Sequence, residues 1–175
     1  MASHIALLRA VNVGGRTVRM ADLKALFEGL GLSSVRTLLQ SGNVVFHARG
    51  GDAVDLEPRL EDAFRAKFGF HADILVRSSA EWSRAIEANP FAAEAASDPS
   101  HVLLMCLKAP PIGALEWPGP ERTAVQGREA YLVYPDGIGR SKLTTAVIEK
   151  ALGVRGSGRN WNTVLKLGSL VSDPG

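Results

Sequence analysis

Cysteine is almost missing from these 175 residues. Cys106 is the single one, which excludes an internal disulfide and a multi-thiolate zinc site and suits a reducing compartment. Aromatic residues make up only 6%. Long apolar runs are absent as well: the longest, Val102 to Leu107, falls far short of the roughly 20 residues a membrane-crossing helix needs. The chain also lacks an excess of either charge, with 20 basic residues against 18 acidic ones. A net charge of +2 gives no whole-molecule field able to hold a polyanion, so any basic site must be local. The opening residues, MASHIALLRAVN, show no basic leader, long apolar run and small-residue cleavage site, and read as a strand rather than a secretory signal. A cytoplasmic protein without a membrane partner is the expectation.

What is present is an apolar share of 46%, ample for the core of one domain or two small interlocked ones. Ile5 to Leu8 read as a strand, followed by a polar loop in which Gly14 and Gly15 permit positive φ. Met20, Leu23, Leu26, Phe27 and Leu30 recur at helical spacing, and Gly31 closes them as a C-terminal cap. Val35 to Leu39 and Val44 to Phe46 are β-rich runs joined by Gln40-Ser41-Gly42-Asn43, the composition of a hairpin turn. A second helical stripe, Leu56 to Phe68, ends at Gly69, and residues 70–76 return to extended alternation. The order β-α-β-β-α-β over residues 1–77 predicts an α+β fold: a ferredoxin-like antiparallel sheet with both helices on one face.

Residues 78–175 predict a second α+β subdomain packed closely on the first. Ser78-Ser79-Ala80-Glu81 has the spacing of a capping box for a helix to Asn89, and 92–100 reads as a loop. His101 to Leu107 reads as a central strand, a proline-rich stretch covers 109–120, and 123–134 reads as a hairpin turning at 126–129. Ser141 is expected to cap a helix ending at Gly153. The segment RGSG reads as a loop, and Asn160 is expected to cap a last helix.

Three stretches carry a family resemblance: ALLRAVNVGG at 6–15 with Met20-Ala21-Asp22-Leu23, LQSGNVVF at 39–46, and GRNWNTVLKL at 158–167. Together they resemble the bacterial family known as domain of unknown function 1697. The match runs nearly the length of the chain, with Ala10 where the family's pattern has Gly. The resemblance implies an α+β protein related to ferredoxin-like folds, and it brings no activity, cofactor or catalytic residue.

Several residues could carry chemistry. The loop 9–16, with Arg9, Asn12, Gly14 and Gly15, lies between a strand and a helix, where backbone N–H groups can cradle phosphate. It matches neither a Walker loop nor a dinucleotide fingerprint, and a glycine loop tied down by Asn12 is the alternative. Gln40, Ser41 and Asn43 could present a polar tip to a ligand or simply form the turn. Residues 137–168 hold six basic side chains against one acid, whereas 80–121 holds two against six. Within the basic stretch, Arg140 before Ser141 and Arg159 before Asn160 mark two predicted helix starts, each suited to a phosphate or carboxylate or else simply solvated. Trp161 could stack on a base or pack in the core.

His4, His47, His71 and His101 are scattered, with no carboxylate or second histidine at ligand spacing, so no metal site is expected. Cys106 should be buried and inert. No catalytic constellation is visible, and no cofactor can be named. The reading reached is a binder of an anionic ligand: a nucleotide, nucleic acid or phosphorylated metabolite. The alternatives are an enzyme of phosphoryl or acyl chemistry using Arg9, Ser41, Arg140 and Arg159, and a protein-interaction module using the acidic 80–121 stretch.

Overall fold

In the computed structural model of the chain, residues 2–9, 17–38, 42–50 and 53–172 are described. The chain divides into two compact units, Met1–Arg84 with Leu167–Gly175, and Ala85–Lys166. The first unit runs β1 (Ala2–Leu8), α1 (Met20–Gly29), β2 (Ser33–Leu38), β3 (Asn43–Ala48), α2 (Ala53–Phe68) and β4 (Ile74–Ser78). Its four strands lie in the order β2-β3-β1-β4, with every neighbouring pair antiparallel. The β-α-β-β-α-β order read from the sequence is the one observed.

Period-2 alternation decides which side chains meet the helices. Ala6 and Leu8 of β1, Val44 and Phe46 of β3, and Ile74 and Val76 of β4 face Leu23 and Phe27 of α1 and Leu56, Leu60 and Phe64 of α2 in one cluster. Both helices therefore cover the same face, as expected. Phe27 meets Phe46 edge-on with ring centroids 5.3 Å apart, a favoured arrangement for the ring quadrupoles. Each such buried side chain contributes roughly 1.5–3 kcal/mol. The alternate residues Ile5, Leu7, Val45 and Leu75 are no more than 1% exposed, so β1, β3 and β4 are buried on both faces there.

The expected hairpin joins β2 to β3, with Leu38 opposite Asn43 and Gly42 at φ +81°; residues 39–41 lie outside the described ones. The Asn43 side chain is fully buried and its Nδ2 donates to the Leu38 carbonyl at 2.8 Å. Gly31, at φ +85°, ends α1 by donating its N–H to Glu28.

β4 is an edge strand, and an edge leaves alternate N–H groups unpaired. Two glutamates one turn apart on α2 answer them. Glu61 accepts from the Ile74 N–H at 2.9 Å and Glu57 from the Val76 N–H at 2.8 Å. The i,i+4 spacing on the helix thus matches the i,i+2 spacing on the strand. Glu57 also lies 4.0 Å from the buried Arg77 guanidinium, which itself donates to the Val76 carbonyl.

The second unit begins within α3 (Ser79–Glu87), followed by α4 (Ala92–Ser97), β5 (Val102–Leu107), β6 (Arg122–Gln126), β7 (Glu129–Val133), α5 (Thr145–Leu152), β8 (Gly156–Asn160) and α6 (Trp161–Ser172). The capping box is real: Ser78 Oγ accepts from Glu81 N and Glu81 Oε2 accepts from Ser78 N. Two expected loops are corrected. Residues 92–97 form α4, followed by a 3-10 turn at Pro99–His101, and 156–160 form β8.

β8 is a strand by its antiparallel pairing with β5, and the close approach explains its glycines. A Cβ on Gly156 would sit 2.6 Å from the Cys106 carbonyl oxygen, and one on Gly158 would sit 3.1 Å from Leu103. The second sheet runs β6-β7-β5-β8, again wholly antiparallel. Counted within its own unit this is the same order as the first sheet, second-third-first-fourth. The segment between β5 and β6, where the first unit has α1, contains Pro110, Pro111, Pro118 and Pro120 and forms no helix. Its Leu115 and Trp117 pack on the sheet face that Ile148 and Leu152 of α5 also cover.

Replacing Glu57 by Ala should lower the unfolding free energy by about 1–3 kcal/mol, because it strands a buried N–H and removes the carboxylate beside Arg77. Urea denaturation checks this. A loss below about 0.5 kcal/mol would mean that the edge N–H has found another acceptor.

Candidate functional site

The nominated residues part company in the structure. Arg159 lies on β8 opposite Leu104 and is only 8% exposed. Its Nη1 donates to Ser157 Oγ at 2.7 Å and to the Gly158 carbonyl at 2.8 Å, and burial pushes its pKa down to about 10. Arg159 stands just before the helix start the sequence named, but on a strand rather than a loop, and its side chain is buried rather than solvated. Asn160 does cap α6, its Oδ1 accepting from the Thr163 N–H at 3.1 Å. Trp161 is buried and lines an apolar depression of about 280 Å³ with Ile86, Asn89 and Leu165.

The cap of α5 is Thr144, whose Oγ1 accepts from Val147 N, rather than Ser141. Ser141 instead donates to Glu121 Oε1 at 2.6 Å and accepts from Leu143 N. Glu121 Oε2 accepts from Trp117 Nε1 at 2.6 Å, and the Ser141 bond, followed by the Trp117 bond, holds the Glu121 carboxyl below its ordinary pKa. Ser141 thus belongs to a tie that fastens the proline-rich segment. Arg140 closes a 3-10 turn and is exposed. Arg9 is half-buried and its backbone N–H donates to the Asp73 carbonyl at 2.9 Å. Asn12, Gly14, Gly15, Gln40 and Ser41 lie outside the described residues. Cys106 is 1% exposed within β5, as the apolar run implies.

The basic stretch builds a concavity where the sequence named no residue. At the end of α5, Lys108, Lys150 and Arg155 surround a cleft of about 480 Å³ with Glu149, Ala109, Gly153 and Val154. Glu149 Oε2 accepts from the Gly156 N–H at 2.9 Å, which ties the helix to the start of β8. Gly153, at φ +68°, turns the chain between them, and a Cβ there would lie 2.5 Å from Ile112. In the acidic stretch a depression of about 300 Å³ holds Glu94, Asp98, His101 and Arg122, so its charges are mixed rather than acidic.

A family model described as "Protein of unknown function (DUF1697)" matches residues 1–131. The chain belongs to this family. No curated protein matches it. Among solved structures, the conserved bacterial protein SP0830 from Streptococcus pneumoniae is similar, with a TM-score of 0.74 and 21% identity over 98% of this chain and 99% of that one. At this identity the likeness speaks for the fold alone, a DUF1697 α+β fold. No helix among the described residues is long and apolar enough to cross a membrane.

Two histidines of this DUF1697 chain do meet carboxylates, contrary to the pairing read from the sequence. His101 Nδ1 lies 3.1 Å from Asp98, and His71 Nε2 lies 3.0 Å from Asp73 Oδ1. Glu61 of α2 joins the second pair, and one ligand atom from each of the three lies within 4.8 Å of the others. The His-x-Asp spacing was readable in the sequence, but the approach of Glu61 requires α2 to lie along β4.

Two predictions follow from the buried polar groups of the second unit. Arg159→Ala should destabilise the fold by about 1–3 kcal/mol, since it strips partners from Ser157 and the Gly158 carbonyl; thermal unfolding reads this, and an unchanged midpoint would sink it. Burial, aided by the Glu129 charge for Tyr131 and the Glu121 charge for Tyr134, raises both phenols from 10.0 to about 12. Between pH 10 and 12 the folded chain keeps two protons that the unfolded chain releases, so stability falls as pH rises. Arg159 acts oppositely, because the unfolded chain keeps a proton that the folded one loses above about pH 10. Two groups outweigh one. Unfolding should steepen above pH 10 and flatten in a Tyr131→Phe/Tyr134→Phe variant followed by circular dichroism.

Proposed function

We propose that this protein binds a small anionic ligand, carrying phosphate or carboxylate, in the cleft at the end of α5. The observation that carries the reading is the lining, in which Lys108, Lys150 and Arg155 stand against one acid, Glu149. A volume of about 480 Å³ is in the range that admits a metabolite or mononucleotide. Three cations around one concavity raise the local concentration of anions even where the whole molecule is nearly neutral.

The C-terminal end of a helix carries partial negative charge, which opposes an anion. Here that effect is offset. The Leu152 carbonyl accepts from the N–H groups of Ile112 and Gly113, the Glu149 carbonyl accepts from Gly153, and Lys150 sits in the last turn. The arginine supplies a planar fork for bidentate contact, the lysines supply point charges, and Gly153 and Val154 give an apolar floor for the rest of the ligand.

A concave basic site favours a small ligand over a long polyanion, and salt dependence separates the two. In a thermal-shift screen of mononucleotides, sugar phosphates, dicarboxylates and a single-stranded oligonucleotide, one small anion should raise the melting temperature. Lys150→Glu with Arg155→Glu, both exposed positions, should weaken its binding at least about tenfold while the unliganded circular dichroism stays that of the parent. A screen in which no anion raises the melting temperature, or a double variant that binds as the parent does, would remove this reading.

A further inference from the structure

We propose that Glu61, His71 and Asp73 form a binding site for a divalent transition-metal ion. The three come from two elements whose mutual position is fixed. Glu61 lies in α2 and faces β4, while His71 and Asp73 lie in the stretch that leads into β4. One donor atom from each lies within 4.8 Å of the other two. Bonds of about 2.0–2.2 Å to one ion, at angles near 90–110°, place neighbouring donor atoms about 2.8–3.6 Å apart. The His71 Nε2 to Asp73 Oδ1 separation of 3.0 Å already lies in that range. A Glu61 carboxylate oxygen lies within 4.8 Å of both other donors while Oε2 holds the Ile74 N–H.

The surroundings act as outer-shell supports do at known metal centres. Glu61 Oε2 accepts the Ile74 N–H at 2.9 Å, which sets the plane of its carboxylate. The Asp73 carbonyl accepts the Arg9 N–H at 2.9 Å, which pins the backbone that carries the second carboxylate. The Asp73 side chain is only 5% exposed, whereas that of His71 is 50% exposed, so an ion would meet a buried anion on one side and reach solvent on the other. Three protein donors leave further coordination positions for water or a substrate oxygen. One imidazole among two carboxylates favours zinc, manganese or cobalt over magnesium or calcium, which prefer oxygen alone. This site lies in the first unit and does not rest on the anion cleft of the second.

The test uses the full-length, tag-free protein and a paramagnetic probe. Cobalt(II) added in steps should broaden the ring proton signals of His71 before those of His4, His47 and His101, saturating at one ion per chain, and zinc should compete it off. His71→Ala should weaken cobalt binding at least about tenfold while its metal-free circular dichroism stays that of the parent. Asp73→Asn gives a second variant that keeps the side-chain volume. Broadening of all exposed histidines without saturation below millimolar cobalt would overturn the proposal, as would selective broadening of His101 beside Asp98. Unaltered binding in both variants would do the same. The titration of the parent chain decides even if a variant fails to fold.

Discussion

The inner strands of both units are closed off from water on their two faces, and any polar group that enters them must find its partner inside. Every residue of β5 is buried, and the inner strands β1 and β3 are nearly so. An unmatched donor in such a place costs more than a matched one contributes. That asymmetry explains why Asn43 bonds back to Leu38, why Arg159 bonds within its own strand, why Tyr131 reaches the Ala85 carbonyl at 2.6 Å, and why α2 presents two carboxylates to β4. It also leaves loops, helix ends and strand entries as the places where polar groups can serve a ligand.

The two units reach one strand order by different means. In the first, α1 and α2 cover the sheet; in the second, α5 is joined by a proline-rich segment that cannot form the matching helix. The tie from Ser141 through Glu121 to Trp117 does the work that helical hydrogen bonds would otherwise do, holding an irregular segment on an apolar face. The strand order is the same while the local structure differs. No sequence repeat marks this, because a shared strand order requires only alternation and turns at matching places.

Much of the fold was legible because its signals are local. The period-3.6 stripe closed by Gly31, the Ser78–Glu81 box and the Gly153 cap each name an element end by chemistry confined to a few residues. β8 escaped notice because GSGRN has no apolar residue to alternate. Its strand character comes from pairing with β5, whose backbone and side chains crowd Gly156 and Gly158. The same miss left the burial of Arg159 unread. The basic cleft was legible only as a charge count over 137–168, since Lys108 reaches it from β5's far end, outside that window. The nearness of Glu61 to His71 was not legible at all, being a product of helix-on-sheet packing across ten residues of chain.

The glutamates of α2 have one more effect. An exposed β edge invites a strand from another chain, the first step of sheet extension and of fibre growth. Along β4 the N–H groups of Ile74 and Val76 are already engaged, and an incoming strand would have to displace two carboxylates before it could pair. The helix that builds the core of the first unit therefore also guards this border against self-association.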